Sequence, residues 1–469
     1  MNSFDPPPEH LQLIVNLFNS GKFEQALTES KTLLEKFPNS VFLHNISGAS
    51  YAGLNQFKDA IKSYKKAIKF KPDFAEAYFN MAIAQKSISN FEEAIDSYKK
   101  TIQIKPDYVN ACFNLGNIHK DMGDLEAAID NYKMTLRIKP NYAEAYNNLG
   151  IALEDNGDIE AAIDSYNMAL KIKPDYIEAK ENLISLLTSY IPQKDNPNLI
   201  VKINGKIRNN SKKENISKII SDDKIVSLFS ESEDYISTYG SELKTKQSQL
   251  FRRNSVNLNC SRHLSIFDKH NVIPEFCFGC YKVQVEPRSV IELIKLFIIF
   301  DQLELKENNT RKCMVELRPE ISGFYKGLIY CSGLRQANQI ADHLDIIIKE
   351  SIRSDLSSTV KRGCSEYAIS YPDYKEINQS GPQVMDYDKD WKEIEVSYDK
   401  KNPVHTEQII RTSLSGINLS DILIIRKWID YAKGIGDSSA NLLNQKTVNY
   451  QMIHDRAKAR LKLFQFGKN

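Results

Sequence analysis

The chain has 469 residues, of which 42% are hydrophobic and 26% are charged, a composition that excludes a wholly disordered protein. This length is greater than one hydrophobic core supports, so we expect two or three domains. The 62 basic and 60 acidic residues leave a formal net charge of +2, which excludes a global field that attracts nucleic acid or an anionic membrane.

The N-terminal stretch MNSFDPPPEH has neither the basic nor the apolar segment of a secretory signal. The longest apolar run, VIELIKLFIIF at 290–300, is interrupted by Glu292 and Lys295 and is too short to cross a bilayer. Seven cysteines in such a chain favour reduced thiols over a disulfide framework. We therefore expect a cytoplasmic protein with no membrane partner and no nucleic-acid partner.

Internal repetition dominates the first 190 residues. Prolines recur every 34 residues, at Pro38, Pro72, Pro106, Pro140 and Pro174. Twelve positions before each proline stands an alanine, at Ala26, Ala60, Ala94, Ala128 and Ala162. A period of this length predicts stacked helical or mixed units rather than one globular fold.

Each unit predicts two helices joined by a tight turn. Gly21, Gly123 and Gly157 suit the left-handed residue that closes a helix. The proline ends the second helix because it has no N–H to donate and clashes with the preceding turn. After the proline, Asp73 followed by Glu76 is typical of the capping boxes that begin the next helix.

This pattern resembles the tetratricopeptide repeat family over about residues 7–190. The resemblance implies five helix-turn-helix repeats and a capping helix at 177–190, forming an all-α solenoid whose concave groove is lined mainly by the first helix of each repeat. The repeats depart from the family pattern at Ser30, where an aromatic is usual, and in part at Ala82, which takes the glycine position. No family is recognised for residues 191–469.

An asparagine recurs in one register of the repeats, at intervals of 34 residues. The four positions are Asn80, Asn114, Asn148 and Asn182. Asn is unfavourable inside a helix, but its amide offers a donor and an acceptor that match the backbone of an extended peptide. A similar asparagine ladder is known in the repeat domain of protein O-linked N-acetylglucosamine transferases. The alternative is that the amides pack between repeats, and the neighbouring Phe79 and Phe113 fit either role.

The residues after 190 do not follow the repeat. We interpret 191–255 as a linker with short helices, 256–375 as an α+β domain and 376–469 as a mainly helical C-terminal extension. The α+β domain reads β-α-β-β-α-β, with the last strand at 364–372. This order is typical of a ferredoxin-like sandwich. A further strand is predicted at 392–398, KEIEVSY.

A spacing typical of structural zinc sites occurs in the α+β domain. Cys260 and His263 are followed, after thirteen residues, by Cys277 and Cys280, and three thiolates with one imidazole can bind Zn²⁺ tetrahedrally. The alternative is that these are small buried residues with no ligand role. Beyond this candidate structural zinc, the sequence firmly implies no cofactor.

Five charged residues stand at the ends of predicted strands and helices, and we interpret them as ordinary surface charges. They are Glu316, Arg318, Arg335, Arg362 and Glu366. No catalytic residue can be assigned. An RNA-binding sheet is disfavoured, because Phe324, Tyr325 and Tyr330 lack the spacing of the RNA-recognition motif.

The sequence therefore predicts a protein-interaction scaffold that captures an extended peptide or a protein in the groove of the solenoid, joined to a domain of unknown activity. The alternative is a transferase whose substrate protein is recruited by the repeats. About 280 residues follow the repeats, which are too few for the usual two lobes of a glycosyltransferase. The single GIG at 434–436 follows a predicted helix, which is the wrong context for a nucleotide site. A repeat fold by itself specifies no reaction.

Overall fold

The computed structural model of the protein describes residues 5–193, 195–213, 220–240, 243–252, 258–318, 321–364, 366–379, 381–402, 411–443 and 451–466. The chain divides into two compact units, Met1–Asp175 and Tyr176–Asn469. In these described ranges, no helix combines the length and the apolar character needed to cross a bilayer.

The described part of the first unit consists of ten helices in five consecutive pairs. The first helices of the pairs are α1 (Pro8–Asn19), α3 (Val41–Gly53), α5 (Ala75–Ser87), α7 (Val109–Asp121) and α9 (Ala143–Asn156). The second helices are α2 (Phe23–Lys36), α4 (Phe57–Phe70), α6 (Phe91–Ile104), α8 (Leu125–Ile138) and α10 (Ile159–Ile172). Each helix packs on the next one along the chain, which is the arrangement of a helical repeat solenoid.

One residue in the left-handed conformation joins the two helices of every pair. These residues are spaced by 34 and have positive φ: Gly21 (72°), Asn55 (60°), Ser89 (62°), Gly123 (82°) and Gly157 (92°). The turn lets a following amide bond back to the helix that ends, as Asn90 N does to Gln85 O at 2.9 Å. The turn predicted from three glycines is therefore present in all five repeats.

The distance between the helices of a pair is set by a small residue that faces a tyrosine. Glycines stand on the first helix at Gly48, Gly116 and Gly150, opposite Tyr64, Tyr132 and Tyr166. A Cβ at any of these glycines would lie 2.6–2.8 Å from the ring, inside the normal separation of carbon atoms. The third repeat has Ala82, which is fully buried in one cluster with Tyr98.

The second unit combines helices with a five-stranded sheet. Its strands are β1 (Gln249–Arg252), β2 (Tyr281–Val285), β3 (Arg311–Val315), β4 (Tyr325–Cys331) and β5 (Ser358–Arg362). Its α-helices are α11 (Ile177–Leu186), α12 (Leu199–Lys213), α13 (Asp222–Ser237), α14 (Cys260–His270), α15 (Glu275–Gly279), α16 (Val290–Gln302), α17 (Leu334–Ser351), α18 (Trp391–Lys401), α19 (Leu419–Ile435) and α20 (Gln451–Phe466). Short 3₁₀ turns lie at Glu366–Ile369, Pro372–Lys375 and Ser438–Leu442.

The described strands form an antiparallel sheet in the order β1-β3-β4-β2-β5. Helices α16 and α17 both pack on it, and a Cβ at Gly327 of β4 would collide with Leu296 of α16. Gly327 therefore faces the helices. Because side chains alternate between the faces of a sheet, Lys326 and Leu328 lie on the opposite face.

A buried arginine joins three elements of the second unit. Arg252, at the end of β1, donates to Oδ1 and Oδ2 of Asp421 at 3.2 and 2.9 Å and pairs with Asp301 of α16. Asp421 also forms a capping box with Asn418 at the start of α19. The three charged side chains are at most 8% exposed, so removal of one would leave an uncompensated buried charge.

The last strand of the β-α-β-β-α-β pattern was predicted at 364–372 and lies instead at β5, where it pairs with β2. Residues 366–369 and 372–375 are 3₁₀ turns that bury Tyr367 and Tyr374. The hydroxyl of Tyr374 donates to Cys277 O at 2.8 Å. Of the two tyrosines in the sequence CSEYAISYP, Tyr367 is buried in the first turn and Tyr371 donates to Asn271 O at 2.6 Å. The strand prediction is wrong there.

The strand predicted at 392–398 is also wrong, because these residues belong to helix α18. The less exposed positions in this helix are Trp391, Ile394, Glu395 and Tyr398. Their spacing of three and four residues is the period of an amphipathic helix. The β-branched and aromatic residues of this segment favoured the wrong assignment.

We expect Ser89→Gly to raise the free energy of unfolding by about 1 kcal/mol. The left-handed conformation costs a residue with a Cβ roughly 1–2 kcal/mol, and glycine avoids this cost. The greater freedom of glycine in the unfolded chain offsets part of the gain. Chemical denaturation followed by far-UV circular dichroism measures this change in the free energy of unfolding. Ser89→Ala keeps the Cβ and should give no gain. Equal effects of the two substitutions would contradict this explanation.

Candidate functional site

Three of the four predicted asparagines lie on the first helices of consecutive repeats. Asn80 is on α5, Asn114 on α7 and Asn148 on α9, and each side chain is half-buried. Asn182 lies on α11 in the second unit, where it lines a small cavity with Thr245. Within the first unit, the asparagine ladder therefore comprises three amides at equivalent positions.

The amide of Asn148 belongs to a hydrogen-bond chain between two repeats. Its Nδ2 donates to Oδ1 of Asn117 at 2.9 Å, and the same oxygen accepts from the hydroxyl of Tyr132 at 2.8 Å. Its Oδ1 accepts from Nδ2 of Asn147 at 3.4 Å. Sequence reasoning missed Asn117 and Asn147. Their signal was the density of asparagine in α7 and α9, beyond the single repeating position.

Asn114 makes an equivalent contact one repeat earlier, to the tyrosine of α6. Burial raises the pKa of Tyr98 to about 12, and the hydrogen bond with Asn114 acts in the opposite direction. The amides at 114 and 148 are thus half-buried groups bonded to the tyrosines that space the helices. These bonds fit the packing alternative, while the half-exposure leaves the amides accessible to a bound chain.

The neighbouring phenylalanines have a packing role. The ring of Phe79 lies 5.8 Å from Tyr98 and 4.9 Å from Tyr108 of the next repeat, distances typical of packed aromatic pairs. Phe113 has the same arrangement one repeat later, at 6.0 and 5.0 Å. Phe79 and Phe113 therefore use their apolar surface to pack between repeats.

The structure describes all four predicted zinc ligands and does not bring them together. In the described ranges, no three Cys, His, Asp or Glu side chains are placed to hold a metal ion. Cys260 is exposed, His263 stacks on Phe276 at 5.2 Å, and Cys277 is buried in an apolar cluster. The donor set does not fit a tetrahedral site, so the zinc prediction rests on spacing alone. Elemental analysis of the purified chain decides it.

Three of the five predicted surface charges form a network. Glu316 is fully buried and accepts from Nε and Nη2 of Arg318 at 2.9 and 3.0 Å and from Nζ of Lys326 at 3.2 Å. Arg318 Nη1 donates to Glu366 at 2.9 Å. Burial alone would raise the pKa of Glu316, but the hydrogen bonds from Arg318 and the charge of Lys326 outweigh it and lower this pKa to about 2.

The other two predicted charges do not join this network. Arg362 is buried and donates to Phe278 O at 2.6 Å. Arg335 is exposed on α17. The interpretation as ordinary surface charges thus holds for Arg335 and is wrong for Glu316 and Arg362. Their burial could not be read from one strand in isolation.

The comparisons with known proteins agree with the geometry of the first unit. Residues 48–176 are tetratricopeptide repeats, since the family profile described as TPR repeat matches residues 48–89, 87–123 and 116–157. A second profile, described as tetratricopeptide repeat, matches residues 143–176.

Several relatives share part of this segment. The peroxisomal targeting signal receptor of Kluyveromyces lactis is 34% identical over 82 residues, which are 18% of this chain and 14% of that protein. The receptor of the same name from Candida glabrata is 31% identical over 90 residues, 19% of this chain and 15% of that protein. The chain thus spans about one seventh of the length of the curated relatives that it matches.

Solved structures of repeat proteins also resemble part of the chain. A MamA protein is 29% identical, with a TM-score of 0.34, and the match covers 35% of this chain and 90% of that one. YrrB, described as a TPR protein with an unusual peptide-binding site, is 19% identical, with a TM-score of 0.34, and the match covers 38% of this chain and 91% of that one. At these TM-scores the likenesses support no functional statement.

We expect Arg318→Gln to destabilise the protein by an amount that depends on pH. Between the lowered pKa of Glu316, about 2, and the ordinary value of a glutamate, the unfolded chain binds the proton and the native one does not. Stability from this contact is therefore present above the ordinary pKa and is lost as pH falls towards 2. The destabilisation should reach roughly 1–3 kcal/mol near pH 6 and vanish near pH 2.

Denaturant titrations of the wild-type and variant chains between pH 2 and pH 6 measure this difference. Arg335→Gln is the matched control, because Arg335 is exposed on α17 and an exposed charge contributes little. A destabilisation by Arg318→Gln that is the same at every pH would contradict the role of Glu316.

Proposed function

We propose that the first unit is a protein-interaction scaffold that binds a partner as an extended peptide along the asparagine ladder. The observation that carries this proposal is the recurrence of a half-buried amide at equivalent positions of α5, α7 and α9. Asparagine is unfavourable at interior helical positions, and the hydrogen bonds that Asn114 and Asn148 make within the protein leave part of each amide accessible to a ligand. An extended chain offers alternating N–H and C=O groups that such amides can bind without regard to its sequence.

The partner class follows from the same chemistry. The relatives that share part of the repeat segment are named as receptors for a peroxisomal targeting signal. We extend only the idea of a peptide or protein partner to this chain, because the match covers a small part of those receptors. A cytoplasmic location remains part of the proposal.

For the second unit, we infer a ferredoxin-like sandwich with an added edge strand. Its support is the chain order β2-α16-β3-β4-α17-β5 together with the sheet order β3-β4-β2-β5, in which all neighbours are antiparallel. The transferase alternative has no specific observation in its favour among the described residues, so a scaffold is the function that we propose.

The double substitution Asn80→Ala with Asn114→Ala should weaken peptide binding roughly five- to a hundredfold, because each lost hydrogen bond contributes about 0.5–1.5 kcal/mol. The affinity is measured for a peptide selected from a displayed random library on the full chain. Asn148→Ala should lower both affinity and melting temperature, since Asn148 also bonds to Asn117.

Asn131→Ala is the matched control. Asn131 is a half-buried asparagine on the second helix of its repeat, and its Nδ2 donates to Ala127 O at 2.7 Å. This substitution should leave peptide affinity unchanged. A folded Asn80→Ala, Asn114→Ala protein with wild-type affinity would refute the ladder and favour the packing alternative.

A further inference from the structure

The second unit contains a large cavity on the face of the sheet that the helices leave uncovered. The cavity has a volume of about 1030 Å³, the size of pockets that hold whole organic ligands. Lys282, Lys312, Lys326 and Lys361 line it from the four strands β2, β3, β4 and β5. Cys260 and Leu264 of α14 also line it, as do residues of 316–318, 321–322, 363–364 and 366–376, so this face of the sheet is partly covered.

The lining is strongly basic. Of the residues that line the cavity, seven are Lys or Arg and three are Glu. Lys282 stands directly opposite Lys361 in the pairing of β2 with β5. Like charges in directly opposed positions destabilise a sheet. Nζ of Lys361 lies 3.8 Å from Oε1 of Glu286, which compensates the charge of Lys361 but not that of Lys282.

Two of the ammonium groups have no carboxylate partner in the described part of the chain. Nζ of Lys282 donates to Gly363 O at 3.1 Å, and Lys282 is 8% exposed. Nζ of Lys312 lies 5.7 Å from the ring centre of Tyr330 and 5.9 Å from that of Phe251. Neither lysine forms an ion pair with a described residue.

Burial is the largest influence on the pKa of both ammonium groups. Burial lowers the pKa of Lys312, and the charge of Arg318 acts in the same direction. Burial likewise lowers the pKa of Lys282, with Lys312 and Lys361 acting the same way against the charge of Glu366. Lys326 differs, because its Nζ already pairs with the buried Glu316 at 3.2 Å.

Apolar and aromatic groups complete the same wall. Tyr330 stands directly opposite Lys282 in the pairing of β2 with β4, and Leu328 stands opposite Lys312 in the pairing of β3 with β4. Met314 lies two residues further along β3 and also lines the cavity. A ligand that contacts both lysines therefore also contacts an aromatic ring and aliphatic side chains.

We propose that this cavity binds a phosphorylated organic molecule of nucleotide size, with the phosphate between Lys282 and Lys312 and the organic part against Tyr330, Leu328 and Met314. A phosphate dianion supplies the negative charge that the two ammonium groups lack. The proposal concerns the second unit and is independent of peptide binding by the first.

A small phosphorylated ligand fits this face better than RNA. Sheets that bind RNA stack bases on aromatic side chains of their two central strands. On this face the central strand β4 contributes one aromatic, Tyr330, and β2 contributes Lys282 and Gln284. Tyr325 is on the other face and donates to Asp437 at 2.6 Å.

Isothermal titration of the full chain with inorganic pyrophosphate and with ATP, in the absence of divalent cations, tests the proposal. Both probes should bind with one-to-one stoichiometry at 150 mM salt, ATP more tightly because of its base. Lys312→Met should weaken both probes roughly ten- to a hundredfold, as expected for the loss of one charge-assisted hydrogen bond. Without ligand, the same variant should melt at a higher temperature, because a half-buried charge without a carboxylate partner has been removed.

Lys349→Met is the control, since Lys349 is exposed on α17 and pairs with Asp345. It should leave both affinities unchanged. If Lys312→Met does not fold, Lys361→Met at an exposed position of β5 supplies the second variant. Absence of saturable binding by both probes, or equal losses in Lys312→Met and Lys349→Met, would overturn the proposal. Tighter binding of a ten-residue uridine oligonucleotide than of ATP would overturn the ligand class.

Discussion

The second unit depends on the way it buries the guanidinium of Arg252. This side chain lies against the ring of Phe297, 4.5 Å from its centre, and it bonds to acids from α16 and α19, so one group fixes an edge strand and two helices. Arg208 of α12 is buried nearby, donates to Leu187 O at 2.9 Å and contributes a second positive charge near Asp301 and Asp421. Buried charges are tolerated only when they are paired and hydrogen-bonded. The segment interpreted as a linker is therefore anchored, through α12, to the centre of this unit.

The strict 34-residue period made the helices of the first unit predictable from the sequence. The spacing of prolines and alanines predicted the five helix pairs, because each repeat packs only on its neighbours and local sequence decides its geometry. The left-handed turns at Asn55 and Ser89 could have been inferred only from the period, since neither residue is a glycine. The hydrogen bonds that tie Asn148 to Asn117 and Tyr132 cross between repeats, and helical periodicity says nothing about such polar pairings.

In the second unit, the limit of prediction is set by contacts between distant residues. The elements β2, α16, β3, β4 and α17 were predicted because each has its own hydrophobic pattern. The burial of Glu316 and the pairing of Arg252 with Asp421, which is 169 residues away in the chain, appear only once the sheet order is known. The lysines of the cavity did leave a signal, as charged residues within the strand sequences KVQV, RKCMVE and YKGLIY. Their meeting on one face required knowledge of which strands are neighbours.

Particular polar groups differ between the two units, and the contrast bears on function. In the repeats, the amides of Asn114 and Asn148 bond to neighbouring side chains, so their contacts add stability and leave only part of each amide to a ligand. On the sheet, Lys282 contacts a backbone carbonyl and Lys312 contacts aromatic rings, and neither contacts a carboxylate among the described residues. This arrangement lowers the stability of the protein without a ligand. Proteins retain such locally destabilising arrangements at binding sites, where the ligand restores the lost free energy of folding. A negatively charged ligand in this cavity would supply the partner that the two ammonium groups lack, and its binding would therefore stabilise the second unit.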